Sequence, residues 1–146
     1  MKNNIEDIFL DVRGLKTHFF TDEGVVKAVD GVDFTINRGR TICIVGESGC
    51  GKSITARSIL QIIDKPGKIV EGKMLLQKNS GENIDICRLK STGKAMRKIR
   101  GKEISMIFQE PMSSLSPIHT IGNQIMEGIE LHFGTSKSES RKRAIE

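Results

Sequence analysis

At residues 46–53 the chain reads GESGCGKS, three glycines in six residues followed by Lys-Ser. Glycine lets a backbone take turns that a Cβ would block, and successive N–H groups in such a turn converge into a concave anion site. The flanks restrict the fold further. Just before the loop, TICIV at 41–45 is a short continuous apolar run rich in β-branched residues, the composition of a strand buried on both faces of a parallel sheet. After Lys52 the apolar positions Ile54, Ala56, Ile59, Leu60, Ile62 and Ile63 follow helical spacing as far as Lys65-Pro66-Gly67. A buried strand entering a helix through a glycine loop commits the chain to an α/β fold. The spacing is that of the phosphate-binding P-loop, G-x-x-x-x-G-K-[ST]. An accidental match in a chain of this length is on the order of one in a few hundred, and the strand–loop–helix setting argues against accident. The helix that begins near Lys52 adds the positive end of its dipole. Lys52 is expected to reach the β- and γ-phosphates of a nucleotide, and the Ser53 hydroxyl to ligate Mg²⁺.

The segments around the loop read as a β-rich start and a more helical end. IFLDVRGL places Leu10, Val12 and Leu15 on one side. VVKAVDGVDFTI places Val26 and Ala28, then Val32, Phe34 and Ile36, at period two, and NRGR at 37–40 is a turn. KIVEGKMLLQ at 68–77 reads as strand, turn, strand. A short helix is expected around Ala95 to Ile99, and ISMIF at 104–108 reads as a second buried-type strand. The apolar positions 121, 125, 126, 129 and 133 mark an amphipathic helix. SKSE at 136–139 fits a capping box with Ser136 as N-cap, so a further helix should start there. The sequence stops about two turns later without a terminating Gly or Pro, which reads as truncation of a longer domain.

Composition removes several function classes. No stretch approaches 18 consecutive apolar residues, so no transmembrane helix is encoded. The first residues, MKNNIEDIFLDV, carry acids among the apolar positions and lack the pattern of a signal peptide. Cys43, Cys50 and Cys87 form no C-x-x-C pair and have no His at ligand spacing, so neither a structural metal nor a disulfide framework is expected. The net charge of +5 is uneven: residues 88–102 hold seven basic side chains and no acid. With no aromatic side chain interleaved for base stacking, this reads as a solvated face, and no nucleic-acid partner is expected.

Beyond the P-loop, the filling of that loop and the later segment IFQEPMSSLSP make the chain resemble the ATP-binding cassette (ABC) ATPases. The wording of 25–60 and 98–125 is similar to the ATP-binding subunits of oligopeptide, dipeptide and nickel importers. The resemblance implies a P-loop NTPase core with a β-rich N-terminal subdomain, cut before the helical subdomain. Residues 1–146 would be the N-terminal part of one ATP-binding domain. The cofactors implied are ATP and Mg²⁺. Gly46, Glu47, Ser48, Gly49, Cys50, Gly51, Lys52, Ser53 and Ile54 would line the nucleotide. Gln109 would be the Q-loop glutamine that touches Mg²⁺ and the attacking water and relays nucleotide state. Phe19 would stack on adenine, with Phe20 as the alternative. Many cassettes carry Thr where this chain has Ile54, so a hydroxyl contact to the α-phosphate is missing there. Implied partners are integral-membrane permease subunits, a second cassette and, indirectly, an extracytoplasmic substrate-binding protein. The implied place is the cytoplasmic face of the membrane.

The 146 residues contain no LSGGQ-type motif, no apolar strand ending in Asp-Glu, and no His at a switch position. The one Asp-Glu pair, Asp22-Glu23, precedes the P-loop in a turn. The polypeptide as written is therefore expected to hold nucleotide phosphates without hydrolysing ATP at a useful rate. Two other readings stay open: a truncated remnant with residual nucleotide binding, and a soluble cassette ATPase without a transporter.

Overall fold

Two long strands open the chain. β1 (Ile8–Thr21) and β2 (Gly24–Asn37) form an antiparallel hairpin closed at Thr21↔Gly24. The structure, a computed structural model, describes residues 8–78, 80–108 and 115–146. β3 (Gly67–Gln77) pairs with the other edge of β1, from Phe19↔Gly67 to Leu10↔Leu76, and β4 (Asn83–Asp85) extends β3. The sheet order is β2-β1-β3-β4, antiparallel throughout. The helices are α1 (Lys52–Ile59), α2 (Lys94–Ile99), α3 (Ile121–Phe133) and α4 (Lys137–Ile145). By internal contacts the chain divides into two compact units, 1–96 and 97–146.

The first unit is built on one face of the sheet. Leu10, Val12, Leu15 and Thr17 of β1 are buried with Val29 of β2 and Met74 and Leu76 of β3. The spacing 10, 12, 15, 17 breaks strict alternation, and the register supplies the reason. Between Arg13↔Lys73 and Lys16↔Glu71, β1 spends two residues where β3 spends one. This bulge moves the phase by one and keeps all four side chains on the same face. The residue opposite it is Gly72, at φ 115; a Cβ there would lie 2.6 Å from Leu15 Cα. The segment 68–77 was expected to turn at this glycine. Instead it runs on as one strand, because Gly72 accommodates the bulge while pairing to β1 continues on both sides. Burial of each aliphatic in this face is worth about 1.5–3 kcal/mol. Exposed ion pairs such as Lys16–Glu71 add little by comparison.

α1 is fastened to the sheet by a buried pair of hydroxyls. Thr17 Oγ1 lies 2.8 Å from Ser58 Oγ, and Ser58 donates to Ile54 O at 2.7 Å. α1 is shorter than the apolar spacing predicts: it ends at Ile59, with Leu60 as C-cap and Gln61 at φ 51. The Gln61 side chain donates to the Ile86 carbonyl, so the chain is drawn out of helical geometry before the Pro-Gly signal is reached.

Two expected strands are absent. Residues 41–45 belong to no ladder among the described residues, and Ile42, Ile44 and Val45 are exposed. In 104–108 there is a single bridge, Arg100↔Ile104, and Ile107 and Phe108 are exposed. Both runs have the composition of strands buried on both faces. Such a strand needs a hydrogen-bonded neighbour and a covering layer, and no other described strand supplies either. The second unit does contain its two expected helices. α3 is capped by Thr120 Oγ1, which accepts from Asn123 N at 3.3 Å; Ser136 Oγ accepts from Glu139 N at 3.3 Å and starts α4. Ser140 of α4 is buried and bonds Thr135.

Candidate nucleotide-phosphate site

The glycine loop spans the gap between the end of β2 and α1. Its geometry is set by one ammonium group. Lys52 Nζ donates to the carbonyl oxygens of Gly46 at 2.8 Å and Glu47 at 2.6 Å, and lies 3.5 Å from Cys50 Sγ. The lysine at the start of α1 thus folds back over the loop that precedes it, with Gly46, Glu47, Cys50 and Lys52 in mutual contact. The closing turn is Gly51, the N-cap of α1, at φ 94. A Cβ on Gly51 would lie 2.3 Å from the Ala28 carbonyl oxygen. Ala28 is itself the extra residue of a β2 bulge, between Thr17↔Val29 and His18↔Lys27. The bulge therefore presents a carbonyl where only glycine can pass. At the other end of the loop a Cβ on Gly46 would lie 2.6 Å from Cys50 Sγ. The cradle is too narrow for side chains at both ends.

No side chain caps α1 and no acid lies in its first turn. Its N–H groups and positive dipole end are free of a competing carboxylate, which suits a bound anion. Ser48, Gly49 and Ser53 are exposed and Ile54 is half-buried. Thr55, the nearest hydroxyl to the position where Ile54 replaces Thr, is committed elsewhere. It is nearly buried, and its Oγ1 donates to Gly51 O at 3.0 Å. Thr55 therefore braces the loop and does not replace the missing hydroxyl at 54. This bracing bond and the Ala28 bulge escaped the sequence reading. A Thr four residues after Gly51 carries no distinctive signal, and a bulge is visible only in the register.

Phe19 and Phe20 leave β1 on opposite faces. Phe19 shares the α1-facing side with Thr17 and is half-buried; its ring edge approaches Gly67, where a Cβ would lie 2.7 Å from Cε1. Phe20 is 44% exposed, with Lys68 Nζ 5.6 Å from its ring centroid. The loop residues are brought together and Phe19 lies on the same side of the sheet as the helix that follows them. Gln109 lies outside the described residues. Among the described residues no three His, Cys, Asp or Glu side chains gather into a metal site. Ser53 offers one exposed hydroxyl, so Mg²⁺ fits here only as an ion carried largely by the nucleotide's own phosphates. Of the cysteines, Cys43 and Cys50 are exposed, whereas Cys87 is half-buried and its thiol pKa is raised, first by burial and then by the neighbouring Asp85 carboxylate.

Residues 29–146 match the family described as ABC transporter. The chain is 45% identical over 141 residues to a probable peptide ABC transporter ATP-binding protein, y4tR, of Sinorhizobium fredii, covering 96% of this chain and 40% of that protein. It is 47% identical over 141 residues to the oligopeptide transport ATP-binding protein AppD of Bacillus subtilis, covering 94% and 40%. The chain thus spans about 40% of the length of the relatives it matches. The dimeric structure of MJ0796, a bacterial ABC transporter cassette, superposes with a TM-score of 0.75 at 25% identity, over 93% of this chain and 54% of that one. On the match over 29–146, which includes the whole glycine loop, the chain belongs to the ABC transporter family.

Proposed function

We propose that residues 1–146 are the N-terminal part of one ATP-binding cassette, with the P-loop at 46–53 and the Q-loop around Gln109. The intact subunit would hydrolyse ATP to drive import of peptides. The observation that carries this reading is the seat of Lys52. An ammonium over a glycine loop, at an uncapped helix start, holds positive charge and free N–H groups together in one place. The peptide specificity rests on the names of the relatives, since substrate choice is made outside this chain.

In this mechanism Lys52 exchanges its bonds to the Gly46 and Glu47 carbonyls for bonds to phosphate oxygens. The loop N–H groups and the α1 N-terminus hold the remaining charge, and Ser53 contributes a hydroxyl to the accompanying Mg²⁺. Bound ATP supplies the phosphoanhydride whose hydrolysis drives the cycle. Phe19 packs against the base, and Gln109 senses the state of the γ-phosphate. The partners are permease subunits and a second cassette, with a substrate-binding protein acting on the permease. The place is the membrane's cytoplasmic face, the location that goes with a transporter's ATP-binding subunit.

The test uses the full-length subunit. Wild-type protein should bind a fluorescent ATP analogue with Mg²⁺ dependence and hydrolyse ATP when assembled. Lys52→Ala should weaken binding by at least about tenfold and abolish turnover, since a charge-assisted contact is worth about 1.5–3 kcal/mol. Undiminished binding and turnover in Lys52→Ala would sink the proposal.

A further inference from the structure

Among the described residues, the strap that leads into α3, residues 115–120, is held by one carboxamide. Gln124 Oε1 accepts from Ser116 N at 2.8 Å. Its Nε2 donates to Ser116 O at 3.0 Å and to His119 O at 3.0 Å. One side chain thereby pairs both backbone groups of Ser116, as a neighbouring strand would, and spends its second N–H on the next turn. Apolar burial does not hold this strap: Leu115, Ile118 and Ile121 are exposed, Ile118 at 84%. The other bonds at the strap among the described residues are long or local. His119 N reaches Ser116 O at 3.4 Å, and Thr120 caps the helix it begins. Only a carboxamide has the right inventory of one acceptor and two donors. A carboxylate would set negative charge against two carbonyl oxygens, and an alkyl chain would make none of the three bonds.

We infer that Gln124 is a positioning residue for the cassette's response to nucleotide: it fixes residues 116–120 on α3 and so anchors the C-terminal end of the segment that carries Gln109. The inference rests on the reading of the chain as an ATP-binding cassette and assigns to Gln124 the role of setting where that segment joins α3. On this inference Gln124 acts through the strap and not by contact with nucleotide. Its loss acts on turnover and not on the affinity of the P-loop.

The experiment compares Gln124→Met, which keeps length and helix preference but not the bonds, with Gln124→Glu, which adds repulsion. Both are made in the full-length subunit assembled with its transporter partners. Hydrogen exchange of the peptide covering 115–120 should speed up about tenfold in Gln124→Met, because the Ser116 amide loses its acceptor. The kcat for ATP should fall about tenfold, with KM for ATP within about twofold of wild type and the melting temperature nearly unchanged. Gln124→Glu should be at least as impaired. Wild-type exchange and kcat in Gln124→Met, with Lys52→Ala inactive, overturn this inference alone. So does a kcat loss that merely follows a drop in melting temperature or a rise in KM, which marks a packing role. ATP turnover retained in Lys52→Ala overturns the cassette reading and this inference together.

Discussion

Gly51 is the residue at which the fold and the site meet. Its φ of 94 and the Ala28 carbonyl oxygen 2.3 Å from the position of a Cβ leave no room for alanine. Gly51→Ala should cost about 1–3 kcal/mol and abolish nucleotide binding, since relief of the clash must move either the β2 bulge or the loop. Denaturant unfolding combined with nucleotide titration checks both effects; an alanine variant that binds and unfolds like wild type contradicts the account. The cysteines give a second residue-scale test. Burial and Asp85 raise the Cys87 thiol, whereas Cys43 and Cys50 are exposed. At pH 8 a maleimide should label Cys43 and Cys50 well before Cys87, whose thiolate fraction and access are both reduced. Mass spectrometry of a labelling time course reads the order, and early labelling of Cys87 would refute it. The glycine loop and the helix that starts at Lys52 were legible in the sequence because each is dictated by local backbone chemistry. Thr55's bond to Gly51 and the Ala28 carbonyl were not, because they depend on which residues the sheet register brings alongside.

Among elements, α1 depends on its docking to β1. Ser58 donates to Ile54 O, so the Thr17 hydroxyl is left to donate to Ser58 Oγ. The two partners are therefore unequal. Thr17→Val removes one bond and leaves Ser58 satisfied, whereas Ser58→Ala leaves a buried Thr17 donor with nothing to bond. Ser58→Ala should be the more destabilising by about 1 kcal/mol, as read from denaturant midpoints at constant slope. The reverse order would show that the assigned donor direction is wrong. Helices 94–99, 121–133 and the capped start at Ser136 follow their local signals, since caps and amphipathic spacing act within a few residues. α1 stops short of its apolar pattern because a distant partner, the Ile86 carbonyl, draws Gln61 out of the helix. The strand through Gly72 was read as a turn because glycine at positive φ serves both; only pairing with β1 on both sides distinguishes a bulge from a reversal.

For the molecule as a whole, the decisive fact is where apolar surface is left uncovered. Val45 is 87% exposed and Ile107 is 95% exposed, and α3 carries no buried residue. These are the side chains that the sequence marks for burial, and exposed runs of this kind promote association. The 146-residue polypeptide should bind a hydrophobic dye, elute as aggregates and melt without a sharp transition. A monodisperse sample with a cooperative melt would count against this. The same polypeptide should show no ATP turnover above a Lys52→Ala control, because these residues contain no Asp-Glu strand end to orient water.

Sequence alone determined the glycine loop, the helix starts, the β-rich opening and the family, for each is written in neighbouring residues or in backbone restrictions that travel with residue type. It also marked 41–45 and 104–108 as strands for a parallel sheet. Only the tertiary structure decided that neither forms one here, that a bulge at Gly14-Leu15 keeps four core side chains on one face, and that a bulge at Ala28 shapes the glycine loop. A strand is half of a pair. Its propensity is local, but its hydrogen bonds and covering layer come from elsewhere in the chain, and without them an apolar β-branched run stays unpaired.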